Sequence, residues 1–418
     1  MLKPAVNCLR VALLLTAAAA FFSCHKERFV PRETPQMALE QQFLVRVLLA
    51  EGVEKCTIKM RGGFSVLGSS GEILVPETIF TEQGQPIEVS ASAAGLNIAG
   101  RSFAAMEATI LPDEPHIFTL DGNDYRGKLI IKANHDYATF DAVNVVPLES
   151  YLAGVVTAEM PAHWQSEALK AQAVAARTYC LYNKKKFADV RHWDVTKTTS
   201  SQVYLGIRGE SPPAWKAVND TWGQVLVCRT EIGSEEIFPA YYSSACGGHT
   251  EDARNVFGDS CEPLSGVNCP YCKDVAGPAV FFWPMVRFDK SEIEMALKVK
   301  YPKLRSLAVM KNIVASKQSD YADFSRLTMV RLEDSNGSSD FVRAEDLRLT
   351  IDPTGTRLRS AICKIIAVDN DIAFLAGRGY GHGVGLCQYG AEGMARQGHS
   401  AQAILSYYYP GSKLVRVY

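Results

Sequence analysis

The periodicity of apolar residues turns from strand-like to helical at Pro147, and that change limits the architectures open to the chain. From Phe43 to about Val146 the sequence runs in short β-rich stretches, such as Phe43–Leu49, Thr57–Met60, Glu72–Val75, His116–Leu120 and Lys128–Lys132. Gly62-Gly63, Asp121-Gly122-Asn123 and Asn134-His135-Asp136 punctuate them as turns. After Pro147 the spacing becomes helical. Leu148 through Glu159 carries apolar residues at intervals of three and four, and Pro161 ends the run. A second helix opens at Ser166-Glu167, with Ser as an N-cap, and continues to about Tyr182. Further helices are expected over Lys290–Lys300 and from about Ser400 to Tyr407, with strands near Val309–Ala315 and Leu327–Leu332. Strands followed by mixed elements, rather than alternating β-α units, predict an α+β fold forming one interlocked body.

The second helix is apolar or small on most faces, so it is expected to be central. Its polar residues, Lys170, Gln172 and Arg177, therefore need partners. Positions 170 and 177 share a face, while 172 points almost oppositely. From the pattern alone, Lys170 and Arg177 either serve a site or extend along one exposed stripe to solvent.

The first 24 residues read as an export signal. Lys3 and Arg10 precede the apolar run from Val11 to Phe22, which is too short to span a bilayer and ends at Ser23-Cys24. A small residue followed by Cys suggests lipoprotein processing, with Cys24 as the lipidated terminus. A plain signal peptide or an uncleaved anchor is the competing reading. Residues 25–40 are polar and Pro-containing, as a tether would be. No later apolar run reaches the roughly 18 residues that a spanning helix needs, so membrane contact is expected only through the N-terminal anchor. Lys plus Arg number 44 against 45 for Asp plus Glu, which gives no field for nucleic acid. Of 11 Cys, two fall in or at the end of the signal. The odd remainder leaves at least one thiol unpaired or acting as a ligand.

Three clusters carry chemistry. Glu159 ends a helix between two apolar segments, and apolar surroundings favour the neutral form of a carboxyl, as a general acid requires. A solvent-facing helix-terminal Glu is the plainer alternative. Next, Cys246-x2-His249 and Cys269-x2-Cys272 supply four soft ligands at zinc-like spacings. A structural zinc, disulfides and plain thiols all remain open, and export would favour disulfides. Finally, Gly377-Arg-Gly-Tyr-Gly-His382-Gly-Val-Gly-Leu-Cys387-Gln388-Tyr-Gly390 places glycines at alternate positions. Such a backbone needs close approach or unusual φ, and it matches neither a P-loop nor a dinucleotide fingerprint. Either a ligand or a strand lies against it with His382 and Gln388 projecting, or it is a packed turn in which His382 is merely hydrogen-bonded.

Taken together, YLAGVVTAEMPAHWQSEALKAQAVAARTY, TKTTSSQVYLG, YYSSACGGHTEDARNVFG, LRLTIDPTGTRLRS and GRGYGHGVGLCQYGAEGMARQGHSAQAILSYYYPGSKL resemble successive blocks of the stage II sporulation protein D, or amidase-enhancer, family. They run in family order from about Lys128 to Leu414. The resemblance implies a body over 128–418 with a substrate cleft; the β-rich region over 41–127 that precedes it resembles the family only weakly. It implies an exported, cell-envelope protein acting on peptidoglycan glycan strands, in sporulation or in division.

The resemblance also places Glu159 on the family's catalytic glutamate. It places Lys170, Gln172 and Arg177 on polar positions supporting activity, Tyr271 on a functional tyrosine, and Thr198, Gln202, His382 and Gln388 on the cleft. Hydrolytic glycosidases usually need two carboxylates. A lytic transglycosylase needs one, because the muramyl 6-hydroxyl attacks its own anomeric carbon and a single carboxyl both gives and recovers a proton. No cofactor is required for that chemistry. The alternative implied by the family is a non-catalytic, peptidoglycan-binding enhancer of an N-acetylmuramoyl-L-alanine amidase. Cys246 and Cys387 stand where the family commonly has Ser or Thr, and Cys180 replaces a small or apolar residue.

Overall fold

The short stretches before Pro147 assemble into two six-stranded sheets. The computed structural model describes residues 43–74, 85–230 and 233–418; the signal segment, the tether and Cys24 lie outside the described residues. Among these residues, eleven strands precede the first helix: β1 (Leu44–Val53), β2 (Lys55–Met60), β3 (Phe64–Leu67), β4 (Ile87–Ser92), β5 (Gly95–Ile98), β6 (Arg101–Phe103), β7 (Glu107–Pro112), β8 (Ile117–Leu120), β9 (Asn123–Arg126), β10 (Lys128–Ala133) and β11 (Phe140–Pro147). One sheet is ordered β6-β5-β4-β2-β8-β9. The other is ordered β1-β11-β10-β7-β3, with Val195–Thr196 added parallel to β1 at its edge. The stretch expected as a strand at Glu72 contributes only an isolated bridge, between Leu67 and Ile73.

Side-chain alternation explains the faces. β2 and β7 bury every second residue, as half-exposed strands do. β11 is buried from Phe140 through Val146 because it is central and covered on both faces. Its two polar residues are satisfied. Asn144 donates to the carbonyls of Arg126 and Lys128, and Asp141 accepts from the Gly52 and Asn134 nitrogens. The boundary expected between residues 127 and 128 runs through this sheet, since β10 and β11 pair with β7 and β1. The front strands and the helical body thus share one hydrophobic core.

Nine helices of α type follow: α1 (Leu148–Glu159), α2 (Ser166–Phe187), α3 (Pro212–Asp220), α4 (Ala253–Val256), α5 (Cys272–Phe281), α6 (Lys290–Lys300), α7 (Ala344–Ile351), α8 (Gln388–Arg396) and α9 (Ala401–Tyr408), counted among the described residues. α2 is buried almost continuously from Ala168 to Thr178, because its alanines allow close packing on every side. It starts one residue earlier than expected: Gln165 is the N-cap and Ser166 lies inside. It also runs past Tyr182, where Lys184, Lys185 and Lys186 suit the negative end of the helix dipole. Glu167 caps a different helix, accepting the Ala401 N–H at 2.8 Å.

A second, smaller core spans Trp283 to Phe374. It holds α6, α7 and a three-stranded antiparallel sheet, Met310–Asp320, Ser325–Asp334 and Ser339–Arg343. Arg326, fully buried, reaches from this sheet to the main core and donates to the Cys246 carbonyl at 2.6 Å and the His382 carbonyl at 3.3 Å.

Candidate functional site

The site is organised around a two-residue parallel pairing, Tyr242–Ser243 with Leu386–Cys387. It brings Tyr242 beside Gln388, the first residue of α8. The glycine-dense segment lies against Tyr241–Gly247, so its neighbour is a strand of the same chain. Gly385, at φ +70°, has the Tyr241 carbonyl where a Cβ would stand, 2.1 Å away. Gly383, at φ +78°, has the Arg326 guanidinium there, 2.5 Å away. Any side chain would displace backbone in the first case and a buried charge in the second.

Glu159, the last residue of α1, points into a cavity of about 300 Å³. One carboxylate oxygen accepts the Val203 N–H at 2.7 Å and the Tyr242 O–H at 3.5 Å, and the other accepts from the Gln388 amide at 3.3 Å. Burial raises its pKa above the ordinary carboxyl value, and these three donors only partly offset that. No Lys or Arg pairs with it among the described residues. The opposite wall comes from the second core, through Glu345 and Arg348 of α7 and the turn Pro353–Gly355. Burial works against charge on Glu345 too, but Arg348 outweighs it with two bonds of 2.9 and 2.6 Å and keeps the carboxyl low. The cavity therefore offers one carboxyl whose pKa is raised by burial and another whose pKa is lowered by Arg348.

His382 also lines the cavity. Its Nδ1 accepts the Val384 N–H at 3.0 Å, so Nε2 carries the hydrogen and donates to the Tyr242 carbonyl at 2.9 Å. Burial lowers its pKa to about 4. It is a neutral, doubly engaged strut. Gln202 stands behind the wall. It donates to the Tyr242 hydroxyl at 2.9 Å and accepts from Tyr151 at 3.0 Å, which steers Tyr242 toward Glu159. Thr198 bonds Ser200, and Thr199, Ser200 and Ser201 form part of the rim. Tyr242, Val203 and Arg348 fall within the blocks YYSSACGGHTEDARNVFG, TKTTSSQVYLG and LRLTIDPTGTRLRS but have no spacing that marks them, and Glu345 lies just outside these blocks.

The other expected site residues lie elsewhere. Arg177, fully buried, makes a bidentate pair with Glu149 at 2.8 and 2.6 Å and donates to the Gln224 and Val218 carbonyls. The tyrosine hydroxyl of Tyr418 closes the same group on Glu149. Lys170 pairs with Glu167 at 2.9 Å and Asp220 at 3.1 Å. Gln172 is fully buried, with no hydrogen-bond partner for its amide. Tyr271 packs edge-on against Tyr407, with its backbone and Cβ against Gly393 of α8. None of these four lines the cavity around Glu159.

The cysteine cluster also differs from expectation in one member. Cys246, Cys269, Cys272 and Cys387 bring their sulfurs within 4.8 Å of one another, all buried. His249 is excluded. Its ring stacks on Tyr321 at 4.2 Å, and its Nδ1 faces the Thr250 carbonyl at 2.7 Å. The local Cys-x2-His spacing is overridden because His249 bridges to Asn268, which turns the imidazole toward the second core.

Fold and site together define an α+β protein with a cleft between two cores and a buried carboxyl of raised pKa, Glu159, at its floor. Comparison with known proteins carries this further. The chain matches the model of the stage II sporulation protein family SpoIID over residues 136–228. It is 30% identical over 383 residues, 90% of this chain and 94% of the relative, to an uncharacterized protein of Brachyspira hyodysenteriae. It is 27% identical to the amidase enhancer of Bacillus subtilis over 84% of this chain and 53% of that protein. It is also 27% identical to stage II sporulation protein D of Bacillus subtilis, over 65% of this chain and 76% of that protein. The chain belongs to the stage II sporulation protein D family.

Proposed function

We propose that this protein is a lytic transglycosylase of the cell envelope, cutting the bond between N-acetylmuramic acid and N-acetylglucosamine in peptidoglycan strands with Glu159 as its one acid/base. The supporting observation is the asymmetry of the two cavity carboxyls. Glu159 favours its proton, while Glu345 is locked to Arg348. Protonated Glu159 donates to the leaving glycosidic oxygen, and the glycosidic bond breaks as the muramyl 6-hydroxyl adds to the anomeric carbon. The carboxylate then takes the hydroxyl proton, leaving a 1,6-anhydro end and a restored acid. Val203, Gln388 and Tyr242 steady the carboxylate while it is charged. In this reading Cys24 anchors the protein to the membrane outside the cytoplasm.

The relative named amidase enhancer favours a second reading, in which the same cleft binds glycan and the chain stimulates an amidase without cutting. Full-chain protein incubated with glycan strands stripped of stem peptides distinguishes the two. Anhydro-muramyl ends detected by mass, with turnover reduced about 10²–10⁴-fold in Glu159→Gln, support the enzyme. Intact glycan together with amidase stimulation replaces it.

A further inference from the structure

We propose that Cys246, Cys269, Cys272 and Cys387 hold one structural zinc ion as four thiolates, beneath the cleft and separate from it. Cys228 and Cys261 approach each other at 3.7 Å on their own. The four clustered sulfurs behave differently, since each lies within reach of all three others. A disulfide joins sulfurs in pairs at about 2 Å, whereas four sulfurs each about 2.3 Å from a tetrahedral zinc stand about 3.8 Å apart. The Cys246–Cys272 separation is 3.8 Å.

The surroundings suit thiolates. The Cys246 N–H points at the Cys387 sulfur at 3.2 Å, and the Tyr408 hydroxyl sits 3.1 Å from the Cys269 sulfur. Donors of this kind stabilise metal-bound sulfur. The backbone is shaped for the purpose as well. Cys269 and Cys272 form a Cys-x2-Cys loop entering α5, and Gly247 and Gly248, both at positive φ, turn the chain sharply after Cys246. Gly390 leaves no room for a side chain between Tyr408 and the Cys269 sulfur. An all-sulfur, fully buried set without a fourth position open to solvent matches a structural rather than a catalytic ion, and its softness excludes magnesium and calcium.

The ion would clamp three segments that are distant in sequence, and one of them places the active centre. Gln388 directly follows Cys387 and donates to Glu159. That last consequence rests on the reading of Glu159 as the acid; the metal site itself does not.

The test uses full-chain protein purified without added metal. Elemental analysis should find about one zinc per chain, and zinc-edge X-ray absorption on the wild type should show four sulfur neighbours at about 2.3 Å. Cys387→Ser should lose most of the metal, whereas His249→Ala should keep it. Chelator should lower the midpoint of thermal unfolding. Metal-free protein with all four thiols open to alkylation overturns the proposal, as do disulfide-linked peptides among these cysteines or iron in place of zinc. Three sulfurs and one nitrogen, with zinc lost in His249→Ala, would also overturn it. Zinc retained in a protein that cuts no glycan would remove only the acid reading.

Discussion

Replacing Arg177 separates a binding role from a structural one. Its side chain and that of Glu149 are 0% and 1% exposed, and they are joined by two charge-assisted bonds. Arg177→Met strands the Glu149 carboxylate in the interior, and breaking such a pair costs about 3–5 kcal/mol. The Gln224 and Val218 carbonyls each lose a donor as well, at about 1 kcal/mol each. Against a total stability of about 5–15 kcal/mol for a domain, this is a large fraction. The double variant Glu149→Leu with Arg177→Met removes both charges. It should recover the cost of the stranded charge, leaving the Tyr418 hydroxyl without its acceptor and the Gln224 and Val218 carbonyls without the Arg177 donors. Urea unfolding reads this directly through tryptophan fluorescence, because Trp222 packs edge-on against Tyr418 at 6.2 Å. Glycan cleavage measured well below the unfolding midpoint should stay close to wild type. If Arg177→Met unfolds at the wild-type urea concentration yet no longer acts on or binds glycan, Arg177 contacts substrate and the structural account fails.

Two further outcomes follow from the cavity. Gln388→Leu removes a donor that favours charged Glu159, so the carboxyl holds its proton to higher pH. With Glu159 as the proposed acid, the alkaline limb of kcat/KM should move up in this variant, and a downward shift would contradict the assignment. His382 takes a proton near 6.5 when unfolded but only at about 4 when folded. Between those values the unfolded chain binds more protons, so stability falls as pH drops from 6.5 to 4, by up to about 3 kcal/mol. Equilibrium unfolding of His382→Gln across this window should show a flatter slope; an unchanged slope would refute the buried neutral imidazole.

The helices were legible where periodicity and breakers agree. α1 ends before Pro161 and α6 covers the residues its spacing gave. The prominence of Glu159 also showed, because a carboxyl between apolar helices is a local signal. What stayed hidden depends on contacts between distant residues. Arg177 reads like a site residue because its helix is buried, and nothing near it announces Glu149 as its partner. Cys-x2-His spacing pointed to His249, whereas the fold turns that imidazole onto Tyr321 and delivers Cys387, the residue just before α8, instead. The pairing that carries one sheet across residue 127 was not legible, because strand pairing between β7 and β10 leaves no mark in either strand.

The three groups that steady Glu159 lie 44, 83 and 229 residues further along the chain. Loop closure over such distances is entropically slow, and contacts of this range form late. The front sheets and α1 alone would hold Glu159 but not the Gln388 amide, which comes only with α8. The environment of the carboxyl therefore depends on contacts among distant segments rather than on its own helix. Until those segments are together, the chain carries Glu159 without the surroundings that raise its pKa.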